Sequence, residues 1–104
     1  SVKGLIRAAD LRGHSSLKVM TLYTVSHNAE FYAPGRLIRD GVGKQRQLNN
    51  TSELVESLRK ENASSALVIY PLRLQKHVLE SNEINAEVIK DNGEYVIALV
   101  TPKL

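Results

Sequence analysis

The spacing of apolar positions changes several times along this chain, and each change predicts an element. Val2, Leu5, Ile6 and Ala9 recur at helical spacing while Lys3, Arg7 and Asp10 turn elsewhere. Residues 2–13 therefore read as a helix ended by Gly13, a residue suited to a left-handed cap. The stretch SLKVMTLYTV, 16–25, is β-branched and apolar on both faces in its inner part, the pattern of a central strand. SHNAEFYAPG reads either as a helical turn started by Ser26 or Asn28 or as a short strand, and Pro34-Gly35 end it in both cases. RLIRDGVGKQRQLNN holds two short extended pieces around Asp40-Gly41 and Gly43, an irregular hairpin at a polar sheet edge.

Asn50 or Thr51 then caps a helix, and Glu53 stands three residues after Asn50 in capping-box spacing. Leu54, Val55 and Leu58 supply its buried stripe. SALVIYP, 65–71, is a continuous apolar run typical of a buried parallel strand. LRLQKHVLES reads as a helix buried through Leu74, Val78 and Leu79. INAEVIKDNGEYVIALVTP closes the chain as two strands around Asp91-Asn92-Gly93, and Asn-Gly between extended runs is a strong hairpin signal. Strands alternating with helices predict one small α/β domain. Its sheet is mixed and mostly parallel, with 18–25 and 66–70 parallel and central, and it ends in an antiparallel hairpin.

Composition narrows the function more than the fold. The 104 residues suit one domain able to bury a core without staples. There is no cysteine, so disulfides and thiolate chemistry are excluded. Fourteen basic residues against eleven acidic ones give a net charge of +3. That excess and five aromatic residues (Phe31, Tyr23, Tyr32, Tyr70 and Tyr95) supply neither a basic stripe nor a base-stacking platform, so no specific nucleic-acid partner is expected. No apolar run approaches the roughly 20 residues that span a bilayer.

Candidate chemistry is sparse. His14, His27 and His77 have no carboxylate at ligand spacing, so neither a metal nor any other cofactor is expected in this chain. None of the serines sits in a Gly-x-Ser-x-Gly elbow. GVGKQR, 41–46, lacks the Ser/Thr and the strand-to-helix setting of a phosphate loop. The acidic residues are dispersed, and no catalytic residue is assigned. One concentration of charge stands out: Arg36, Arg39, Lys44 and Arg46, with only Asp40 among them. It reads as a solvated sheet edge or as a contact for anions and lipid head groups. Phe31 and Tyr32, just before it, read as a packed corner.

The sequence resembles the soluble carboxyl-terminal domain of bacterial membrane glycosyltransferases of the protein O-mannosyltransferase and aminoarabinose-transferase superfamily. The likeness runs through about residues 18–104 and rests on VMTLYTV, then Glu30-Phe31-Tyr32-Ala33, then the basic Arg36-Leu37-Ile38-Arg39. NNTSELVESL, ALVIYP and NGEYVIALV complete it. The resemblance implies a small extracytoplasmic domain, on the periplasmic face of the plasma membrane, following a long membrane-embedded part. In that family the catalytic carboxylate and lipid-phosphate site belong to the membrane part, and no motif for them stands in this chain. The expectation is an accessory, non-catalytic domain of an enzyme that transfers sugar from a lipid-phosphate donor. Its partners would be its own membrane-embedded domain and, through the basic segment, lipid head groups or the lipid-linked donor. The chain opens at Ser1 without methionine, which fits either a removed initiator or the cut end of a longer protein. The alternative is a free-standing small-ligand-binding or regulatory α/β module, with a pocket at the carboxyl ends of 18–25 and 66–70.

Overall fold

The computed structural model describes residues 2–24, 35–37 and 47–103. In chain order these form helix α1 (Val2–Ala9), a π-helical turn (Asp10–His14), strand β1 (Val19–Leu22) and strand β2 (Gln47–Leu48). Helix α2 (Thr51–Lys60), strand β3 (Ala66–Pro71), a 3-10 turn (Leu72–Leu74) and helix α3 (Gln75–Leu79) follow. Strands β4 (Ile84–Asp91) and β5 (Tyr95–Pro102) end the domain.

The five strands form one mixed sheet in the order β2-β1-β3-β5-β4. β1 runs parallel to both β2 and β3, while β5 runs antiparallel to both β3 and β4. Every residue of β1 and β3 is buried, the polar Thr21 of β1 included, as in strands covered on both faces. Alternation then sorts their side chains. Val19, Leu67, Ile69 and Ile97 pack beneath α1, which contributes Val2, Leu5, Ile6 and Ala9. Met20, Leu22, Val68, Tyr70, Val96 and Ala98 point the other way, under Leu54 and Leu58 of α2 and Val78 of α3. The domain is thus a helix–sheet–helix sandwich with a core on each side of the sheet.

The local signals act as their chemistry dictates. The Asn50 side chain accepts from the Glu53 amide at 2.8 Å, while the Glu53 carboxylate reaches back to the Asn49 amide at 3.0 Å. One orphan amide donor of α2 and the amide of the residue before its cap are satisfied in this way. Hydrogen bonds from Ser52 and Thr51 hold the Glu83 carboxyl below its ordinary value and tie the entry to β4 to the start of α2. In the β4–β5 turn, Asn92 Oδ1 accepts from the amides of Glu94 and Tyr95, and Gly93 takes the positive φ of 89°. A bulge between Val88 and Lys90 inserts Ile89, which packs against the α1-side core.

Three expectations are corrected. The α1 helix does not continue regularly to Gly13: its last part widens into the π turn before Gly13 adopts φ 90°. Leu79 is half exposed, because 72–74 form a tight 3-10 turn and only the short helix after it packs, through Val78. The two extended pieces of 36–50 are not the facing arms of a hairpin where they are described. Leu37 bridges Val19 in parallel and β2 pairs β1 in parallel, so both lie head-to-tail along one edge of β1. The amides of Val19 and Tyr23, which point to the same side of β1, donate to the carbonyls of Arg36 and Leu48.

Tyr70 gives this core a pH signature. Burial pushes its phenol from 10.0 up to about 12, and its hydroxyl donates to Gln75 Oε1 at 3.1 Å. A raised folded-state value means that the native state holds the proton more tightly than the unfolded chain. Its contribution is fully present below pH 10 and is lost as pH rises toward 12, by about 3 kcal/mol at most. In urea unfolding, Tyr70→Phe is expected to flatten this alkaline loss relative to the native chain. Equal slopes in the two proteins would refute the assignment.

Candidate functional site

The parallel pair β1–β3 sets where a site can form. After β1 the chain leaves toward β2 on one side. After β3 it leaves toward β4 and the opposite edge. Neighbouring parallel strands whose connections part in this way leave a crevice beyond their carboxyl ends. The structure has a cleft of about 520 Å³ there, within the range of small-molecule sites.

Three segments wall it. Thr24 comes from the exit of β1, Pro71, Leu72 and Arg73 from the exit of β3, and Gly93, Glu94 and Tyr95 from the β4–β5 turn. The last two walls are bound together, since Pro71 pairs with Tyr95 and the Leu72 amide donates to the Glu94 carbonyl at 2.8 Å. Pro71 is buried, Leu72 and Tyr95 are half-buried, and Arg73 and Glu94 are exposed. Neither the Arg73 guanidinium nor the Glu94 carboxylate has an ion-pair or hydrogen-bond partner among the described residues. The cleft therefore offers one cation, one anion, the hydroxyls of Thr24 and Tyr95, and apolar surface from proline, leucine and the aromatic ring.

The basic segment behaves differently from its expected solvated edge where it is described. Arg36 is only 17% exposed and fastens three parts of the chain together. Its Nη1 donates to both Asp10 carboxylate oxygens at 3.0 and 3.2 Å, Nε donates to the Leu17 carbonyl and Nη2 to the His14 carbonyl. A planar guanidinium can satisfy a carboxylate and two diverging carbonyls at once. Arg36 thus serves as an internal clamp on the π turn. Arg39, Lys44 and Arg46 lie outside the described residues, as do His27, Phe31, Tyr32 and the whole of GVGKQR. Among the described residues, no three histidine, aspartate or glutamate side chains converge as a metal site. No helix of the described residues is long and apolar enough to cross a membrane.

Sequence reasoning places a pocket at the ends of the two parallel strands but not its residues. Arg73 and Glu94 are far apart in the chain and belong to no motif. Only the β3–β5 register, with Pro71 opposite Tyr95, brings them to one cleft. Comparison of the chain with models of known protein families, with curated proteins and with solved structures finds no match in any of the three.

Proposed function

We propose that this chain is an accessory, non-catalytic domain of a bacterial membrane glycosyltransferase. The whole enzyme would transfer sugar from a lipid-phosphate donor on the extracytoplasmic face of the membrane. The observation that supports this reading is the order in which the resembling segments fold. VMTLYTV supplies β1, NNTSELVESL the start of α2, ALVIYP the strand β3, and NGEYVIALV the turn and β5. All belong to one sheet with its covering helix, as an autonomous tail domain requires. The partners would be the enzyme's own membrane-embedded part and, at the basic segment, lipid head groups or the lipid-linked donor.

The test is a pair of transfer assays with a polyprenyl-phosphate sugar. The full-length protein in membranes is expected to turn over, and residues 1–104 alone are not. Turnover by 1–104 that is abolished by changing one of its own carboxylates would overturn the reading. An upstream reading frame with no apolar spans of about 20 residues would overturn it equally. The switch-point cleft favours a second reading, a small-ligand-binding or regulatory module.

A further inference from the structure

The cleft's two unpaired charges bear on what it would take. Arg73 and Glu94 stand on walls held together by the Pro71–Tyr95 pairing and the Leu72–Glu94 backbone bond, so their attachment points are fixed relative to one another. A purely anionic guest would gain Arg73 but meet the uncompensated Glu94 carboxylate. A purely cationic guest would meet the reverse. A molecule carrying both charges satisfies both walls, its carboxylate accepting from the guanidinium and its ammonium donating to the carboxylate. The half-buried Leu72 and Tyr95 beside buried Pro71 offer apolar contact to a short hydrocarbon side chain.

We propose that the cleft lined by Thr24, Pro71, Leu72, Arg73, Glu94 and Tyr95 binds a small zwitterion, an α-amino acid with an apolar side chain. Arg73 receives the carboxylate, Glu94 the ammonium, and the Leu72–Tyr95 surface the side chain. This inference rests on the ligand-binding reading of the cleft.

Three probes of matched skeleton test it: L-leucine, 4-methylpentanoate, which lacks the ammonium, and 3-methylbutylamine, which lacks the carboxylate. Each is titrated into nitrogen-15-labelled residues 1–104 and followed by amide chemical shifts. L-leucine is expected to move the signals of Leu72, Arg73, Gly93, Glu94 and Tyr95 with half-saturation at about millimolar concentration. Each single-charge probe is expected to bind about tenfold more weakly. Arg73→Gln and Glu94→Gln should each weaken leucine about tenfold, and the unshifted remainder of the spectrum reports that the fold is kept. If 4-methylpentanoate binds the native chain as well as leucine does, the site stands and the zwitterion assignment falls. If none of the three probes moves these signals, the zwitterion assignment falls.

Discussion

Replacing Arg36 by glutamine is expected to destabilise the domain by about 2–3 kcal/mol, a large share of what a chain of this length has in hand. The loss comes from what is left behind. Asp10 keeps a half-buried carboxylate with its bidentate partner gone, and the carbonyls of His14 and Leu17 lose their donors. Asp10 retains some access to water, which keeps the cost below that of a fully buried orphan charge. Arg36→Lys should recover little, because an ammonium cannot span a carboxylate and two carbonyls as the flat fork does. Urea unfolding of the three proteins decides it. A loss below about 0.5 kcal/mol in the glutamine variant would mean that the clamp behaves as an ordinary surface pair. The same geometry limits the role of Arg36 toward outside anions, since a phosphate would have to displace Asp10 to reach it.

Leu67→Ala is expected to cost about 2–5 kcal/mol. Leu67 is fully buried in β3, between Val19 of β1 and Leu99 of β5, and faces α1. Truncation leaves a cavity that a strand hydrogen-bonded on both sides cannot close by moving. Leu58→Ala removes packing from the opposite core, across the sheet. The two losses should therefore add to within about 0.5 kcal/mol. Strong non-additivity would show that the two cores respond as one.

The fold was legible in the sequence wherever a local rule acts alone. The Asn50 cap, the Asn92-Gly93 turn and the all-apolar run of β3 each announce themselves through short-range chemistry. Legibility failed where tertiary register decides. Arg36 belongs by composition to a charged edge, and only its position beside Val19 brings it against Asp10 and the π turn. Leu79 carries the right residue type for a core, yet the 3-10 turn before it rotates it toward solvent. The cleft shows both cases: its location follows from two parallel strands, and its charged residues follow from a strand pairing that no motif encodes.

The mixed character of the sheet has a bearing on how the chain assembles. On one flank of β3, the β4–β5 hairpin closes through a tight turn and zips with little loss of chain entropy. On the other flank, β1 must meet β3 in parallel across everything from β2 through α2, so that Val19 pairs Leu67 at the far end of a long closure. The half-sheet β3–β5–β4 is thus the natural early nucleus, with the docking of β1 on β3 arriving late. Weakening the late flank should chiefly speed unfolding, while weakening the hairpin should chiefly slow folding.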